Sequence, residues 1–309
     1  MLKCRQTWKN YIYTLILMFY YYIPLPSYIK KYLKRTIKSK FAYNYADIVK
    51  NKNLNLPIFN NKRFLSAKYF CPVCNSIQPH FLPLPDYYRK QSEKYGFVHF
   101  GKSEMTSLDT YLCPLCKASD RERLMAFWII NNLGSQIFLD THIIHFAPEK
   151  SLSAMLKQLK LLNYKTADFV MQEVDFKVDI TKLPFSDDSY DFFICSHILE
   201  HVINDDKAIE ELYRILKPGG NGIILTPIST VIKSTIEDTA INTEEDRWKY
   251  FGQNDHVRLY SHNDFVMKIK QHGFILYELG IEHFGNEVFF QLGLKKTSIL
   301  YIVEKRKKL

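Results

Sequence analysis

A chain of 309 residues has room for one domain of about 150 to 200 residues and a smaller module. Hydrophobic residues at 47% against 24% charged exclude a disordered or fibrous chain, and 15% aromatics promise a large core. The formal charge of +10 is uneven: fourteen of 42 Lys and Arg but one acid, Asp47, fall in residues 1–70, leaving that stretch at +13 and the remainder at −3. A near-neutral remainder argues against the broad basic footprint of a protein that wraps RNA or DNA.

Residues 1–66 read as a basic, aromatic arm. Within it residues 10–29, NYIYTLILMFYYYIPLPSYI, carry no charge and precede Lys30, Lys31, Lys34, Arg35, Lys38 and Lys40. Twenty residues approach spanning length, but Pro24 and Pro26 shorten the helix and six tyrosines suit the bilayer interface. The expectation is a segment lying on an anionic membrane surface through residues 10–40, with packing on the protein's own body or a true span as alternatives. No small-x-small cleavage site follows, which argues against a signal peptide.

Residues 67–134 are organised by cysteine. Cys71-Pro-Val-Cys74 and Cys113-Pro-Leu-Cys116 are matched pairs separated by 38 residues. The two-residue spacing turns both thiolates of a pair toward one ion, and two pairs complete a tetrahedron, so the expected ligands of a structural Zn2+ are Cys71, Cys74, Cys113 and Cys116. Two redox pairs are the alternative. Four protein ligands leave no open position, so the metal would hold the fold rather than react. The segment 75–112, rich in Phe, Tyr and Pro, is too irregular to make a core alone. A helix should follow, with Ser119 or Asp120 as cap, Leu124, Phe127 and Trp128 on its apolar face, and Gly134 as stop.

Residues 135–309 alternate strands and helices, the pattern of a parallel sheet covered on both faces. Strands are predicted at 142–147, 164–169, 174–180, 190–196, 221–227, 274–282 and 297–304. A helix over Asp205–Lys217 places Ala208, Ile209, Leu212, Ile215 and Leu216 on one face, and Pro218-Gly219-Gly220 should end it.

The block VDITKLPFSDDSYDFFICSHILEHVINDDKAIEELYRILKPGG, Val178 to Gly220, resembles the centre of class I S-adenosylmethionine (SAM) dependent methyltransferases, type 11-like, and the resemblance extends over roughly residues 141–304. It implies an α/β, Rossmann-like seven-stranded methyltransferase sheet preceded by the small four-cysteine zinc-binding module. His145-Phe-Ala-Pro-Glu149, CPLCKASDRERL and DRWKYFGQNDHVRLYSHNDF further resemble a subgroup with an N-terminal zinc knuckle and this loop in place of the usual glycine-rich turn. No glycine lies between Gly134 and Gly219, so the loop departs from the wider family where glycines take positive φ. Either the site is dead or the loop is rebuilt, since SAM has no phosphates to cradle.

The resemblance implies a SAM site made of His145, Ala147, Glu149, Asp168, Asp179, Ile180 and His197. Asp168, at the second strand's end, would accept the ribose hydroxyls, against a plain turn aspartate. Asp179 would accept from the adenine amino group, with Ile180 and Leu183 around the ring. Glu149 would pair with the ammonium or sulfonium, and amides near Ser151 with the carboxylate. Asp191, opening a strand, reads as structural.

His197, Glu200 and His201 lie on the turn after the fourth strand. Asp255, His256, Arg258 and Tyr260 lie on an insertion after the fifth, where loops cover sites in parallel sheets. The insertion reads equally as a lid for a polar or anionic acceptor and as a structural network reaching Arg121 or Arg123. His201 and His256 are the candidate general bases, since an imidazole titrates near working pH. The functional expectation is a cytoplasmic methyltransferase, peripheral to the inner membrane face, acting on a small-molecule or glycan acceptor such as a lipid-linked sugar. An RNA methyltransferase and a non-catalytic binding scaffold are the alternatives.

Overall fold

The structure is a computed structural model that describes residues 68–132, 141–159 and 163–307. The run 10–29 with its basic flank, and Gly134, lie outside these. Among the described residues no helix is long and apolar enough to cross a membrane.

The cysteine module opens with a hairpin, β1 (Tyr69–Cys71) against β2 (Ser76–Gln78). Helix α1 (Asp86–Tyr95) follows, ended by Gly96 in the left-handed region. Helix α2 (Asp120–Asn132) leads out of the module. Ser119 Oγ accepts from the Glu122 amide, and Glu122 Oε2 takes the Ser119 amide at 2.8 Å, so the cap is Ser119 in a reciprocal capping box.

The main sheet then assembles β3 (Ile143–Phe146), β4 (Tyr164–Asp168), β5 (Phe176–Lys177), β6 (Tyr190–Ser196) and β7 (Leu216–Leu225), all parallel. Helix α3 (Lys150–Gln158) joins β3 to β4, and α4 (Asp205–Ile215) precedes β7. After an insertion come β11 (Phe274–Leu279) and β12 (Leu300–Lys305), the latter antiparallel to both its neighbours. The order is β11-β12-β7-β6-β3-β4-β5. It reverses direction at β3, and such a switch point opens a crevice at the strands' carboxyl ends. This is a Rossmann-like fold of the methyltransferase kind, and each of the seven predicted strands is present.

The junction between α4 and β7 departs furthest from expectation. Helix α4 stops at Ile215, because Leu216 is already extended and pairs with Tyr190. The pairing resumes at Phe192 with Asn221, so Lys217 to Gly220 form a bulge, from which Lys217 reaches Asp191 at 2.7 Å. Asp191 is structural, as read. Gly222 is required by close packing: a Cβ there would sit 2.3 Å from the Phe193 ring.

The insertion after β7 builds its own three-stranded sheet, unforeseen in the sequence: β8 (Ile228–Ser229), β9 (Ile236–Glu237) and β10 (Arg258–Ser261), in the order β8-β10-β9. Helix α5 (Glu244–Phe251) precedes β10, and α6 (His262–Gln271) follows it. Short helices α7 (Ile281–Phe284) and α8 (Asn286–Gln291) connect β11 to β12. Trp248 of α5 stacks on Tyr95 of α1 at 6.0 Å, joining insertion to cysteine module.

Candidate active site and metal centre

The four cysteines converge. Cys71 Sγ lies 3.6 Å from Cys116 Sγ, and Cys74 Sγ 3.8 Å from Cys113 Sγ. A zinc ion with four sulfurs at about 2.3 Å sets them about 3.8 Å apart, whereas a disulfide needs about 2 Å. Each pair is followed by a residue at positive φ, Asn75 at 50° and Lys117 at 63°, so both turns curl back in one way. The Cys113 amide, bonded to the Ala118 carbonyl at 2.8 Å, closes the second turn. The thiol group fits a Zn2+ ion. Cys195, buried in β6, is held protonated by that burial.

The charged run Asp120-Arg-Glu-Arg123 sits at a buried seam instead of facing solvent. Asp120 takes the Ser107 amide at 2.6 Å, and Glu122 Oε1 takes the Leu152 amide at 3.3 Å in the first turn of α3. Arg123, fully buried, donates to the carbonyls of Thr110, Tyr111, Ala118 and Leu292 and lies 3.8 Å over the Phe81 ring. These bonds tie the module to the sheet's carboxyl edge. Ser151 adds another, donating to the Cys116 carbonyl at 2.6 Å.

Arg121 approaches Glu149 at 3.5 Å in the loop that replaces the glycine turn. Ala147 there takes φ of 45°, the left-handed conformation that glycine would supply. A non-glycine residue thus holds a left-handed turn directly after β3. Fully buried His145 donates from Nε2 to Glu149 Oε2 at 2.9 Å, and its Nδ1 lies 2.9 Å from the Tyr164 hydroxyl. Burial alone would push the Glu149 carboxyl up, but His145 and Arg121 bring it down to about 2. Its Oε1 and the Arg121 Nε remain buried without a hydrogen bond.

Asp168 Oδ1 takes the amides of Val170 and Met171, each at 2.6 Å, and Asp179 Oδ1 takes the amide and hydroxyl of Thr181 at 2.8 Å. Each acid thus spends one oxygen on its own loop. Their elements are adjacent, since the Val178 amide bonds the Asp168 carbonyl at 3.0 Å, and Ile180 and Leu183 are buried beside them. Beyond β4, Phe169, Val170 and Met171 are 73%, 72% and 42% exposed, an apolar surface that the sequence reading passed over. Its signal was an apolar triplet directly after a strand-end acid.

At the end of β6, His197 takes φ of 56° and bonds the Leu225 carbonyl through its amide at 2.8 Å. Burial, then the charge of Arg121, holds its imidazole neutral. Glu200 is buried; Thr226 donates to its Oε2 at 2.9 Å, and burial pushes its carboxyl up. The insertion divides in two. Arg258 and Tyr260 are structural: Arg258 donates to the carbonyls of Leu199, Val202 and Ile203 and to Glu237, and Tyr260 to Asp205. The network thus reaches the turn and α4, not Arg121 or Arg123. Asp255 and His256 instead face a cavity of about 400 Å³. His197, Glu200 and His201 line one wall, while Tyr88, His99 and Tyr111 of the cysteine module line the other. The structure therefore brings His197, His201 and His256 together, and the module's aromatic wall and Glu200 complete the site.

Residues 151–224 match the family described as a methyltransferase domain. The match begins just past the loop from His145 to Glu149. Over 46 residues the chain is 50% identical to a demethylmenaquinone methyltransferase from Streptomyces avermitilis, covering 15% of this chain and 20% of that protein. Over 61 residues it is 38% identical to the ubiquinone/menaquinone biosynthesis C-methyltransferase UbiE of Hydrogenovibrio crunogenus, covering 19% and 24%. The chain thus spans about a fifth to a quarter of the length of these relatives. Among solved structures, a Pyrococcus horikoshii protein is 17% identical with a TM-score of 0.38, covering 62% of this chain and 92% of that one. A SAM-dependent methyltransferase from Thermotoga maritima is 17% identical with a TM-score of 0.35, covering 60% and 99%. Residues 151–224, which run from α3 to β7 of the Rossmann-like sheet, are thus similar to a methyltransferase domain.

Proposed function

We propose that the chain transfers a methyl group from SAM to a small polar acceptor or glycan terminus seated in the cavity between the cysteine module and the end of β6. The carrying observation is that cavity, of a volume suited to one small ligand, opening on His197, Glu200 and His201 where β6 ends.

The residues present fit SAM. Asp168 and Asp179 each keep one oxygen beside the exposed Phe169 surface, a pairing of carboxylates and apolar cover that suits a ribose and a base. At the amino-acid end, the buried Glu149 Oε1 and Arg121 Nε stand 3.5 Å apart as a loose ion pair, opposite charges that suit an ammonium and a carboxylate. SAM supplies an electrophilic methyl on a sulfonium. The chain's own task is alignment and exclusion of water, with the cysteine module as roof and the turn 197–201 as floor. His201 and His256 face the acceptor's reacting group.

Calorimetry with SAM tests the cofactor, and methyl-radiolabelled SAM with a cell extract, fractionated into polysaccharide, lipid, RNA and protein, tests the acceptor. Binding lost at least about tenfold in Asp168→Ala, with label in small molecules or glycan, is expected. No SAM binding overturns the reading; label in RNA replaces the acceptor.

A further inference from the structure

Glu200, His201 and His256 come from two segments more than fifty residues apart, yet offer ligand atoms all within 4.8 Å of one another on the cavity wall. Glu200 is 1% and His256 2% exposed. Glu200 Oε1 and both ring nitrogens of His256 are buried and none makes a well-aligned hydrogen bond, although the Phe251 backbone approaches the His256 ring. Buried polar atoms are nearly always paired, so Glu200 Oε1 beside an imidazole nitrogen of His256 points to a partner of another kind.

The surrounding groups aim these atoms inward. Thr226 occupies Glu200 Oε2 at 2.9 Å, which leaves Oε1 toward the histidines, with His197 Nδ1 the nearest at 3.3 Å. Asp255 Oδ2 stands 3.4 Å from His201 Nδ1, and His201 Nε2 stands 3.9 Å from Glu200 Oε1. A carboxylate behind one imidazole nitrogen while the other faces a shared centre is the usual support of a metal-binding histidine. The His201 and His256 rings meet edge to face at 4.7 Å.

We propose that Glu200, His201 and His256 bind a divalent transition-metal cation, a second metal site distinct from the four cysteines. Donors about 2.1 Å from a metal sit about 3 to 3.4 Å apart, so side-chain rotations of about an ångström close the set. Two imidazoles and one carboxylate suit a borderline cation such as Zn2+, Co2+ or Mn2+ and leave coordination positions open to the cavity. Those positions would take adjacent oxygens of an acceptor, a vicinal diol or a hydroxy acid, and ease loss of a proton to cavity water from the oxygen that bonds the methyl carbon as the carbon–sulfur bond breaks and S-adenosylhomocysteine leaves. The cation site stands without the methyl-transfer reading; its use on an acceptor rests on it.

The test is a Co2+ titration of the full metal-free chain, followed by visible absorption. Two equivalents are expected, one with the strong thiolate charge-transfer bands of a sulfur site and one with weak ligand-field bands alone. Glu200→Gln, His201→Gln and His256→Gln should each abolish the second equivalent and keep the first, whose thiolate bands report that the variant is folded. Asp255→Ala should weaken the second equivalent about 10- to 100-fold. Binding that stops at one equivalent, or a second equivalent unchanged in the three variants, overturns the site. Calorimetry of SAM on the same samples scores the methyl-transfer reading separately: metal without SAM binding leaves the site and removes its use.

Discussion

The guanidinium of Arg258 donates a 2.5 Å hydrogen bond to the carbonyl of Leu199, inside the turn that carries Glu200 and His201. Buried within the insertion, it also holds the carbonyls of Val202 and Ile203, so one side chain fixes the backbone on which the cavity wall is built. Lysine cannot reach three carbonyls in a planar fork. Arg258→Lys should therefore lower stability by about 2–4 kcal/mol in urea unfolding, with a larger loss of turnover than of SAM affinity.

Ala147 holds a left-handed conformation that costs an L-residue about 1–2 kcal/mol. Ala147→Gly relieves that strain while adding unfolded-chain entropy, and should raise stability by up to about 1 kcal/mol. Ala147→Val, β-branched at the same φ, should lower it by more than that. Paired urea denaturation curves decide the sign.

Glu149 has a folded carboxyl held at about 2 against an ordinary 4.5. A depressed acid contributes stability that is present above about 4.5 and lost as pH falls through about 2, here on the order of 3 kcal/mol. Acid unfolding of Glu149→Gln should lack that component, so the gap between variant and wild type should shrink steadily from pH 5 to pH 2. A gap independent of pH would show that the His145 and Arg121 contacts carry no such charge coupling.

The sulfur spacings of 3.6 and 3.8 Å predict one tightly held zinc per four-cysteine group. Thiol modification should release it stoichiometrically, read by a metallochromic dye. Cys113→Ser should lose that zinc and lower the melting temperature by several degrees, because α1 and the cavity roof hang from the module.

Local chemistry was enough for much of this. Alternation of apolar runs with helices marked all seven strands of the main sheet, and β6 falls at Tyr190–Ser196 as read. Matched cysteine pairs marked the four thiols that converge, because spacing within a turn is a local property. The small β8-β10-β9 sheet left no comparable trace, since strands of two to four residues are too short to show a period.

The sequence by itself determined the sheet, the cysteine cluster and the segments from which a site would be drawn. Tertiary structure alone decided what those segments do to one another. Sequence pattern marks Asp120-Arg-Glu-Arg123 only as a helix start, yet its charges are buried because their partners, Leu152, Glu149 and Leu292, arrive from elements up to 169 residues away. Of the four residues read on the insertion, Arg258 turned inward to hold backbone and Tyr260 to hold the Asp205 carboxylate, while Asp255 and His256 line the cavity. Side-chain direction at that level is set by packing across the chain, where periodicity carries no information.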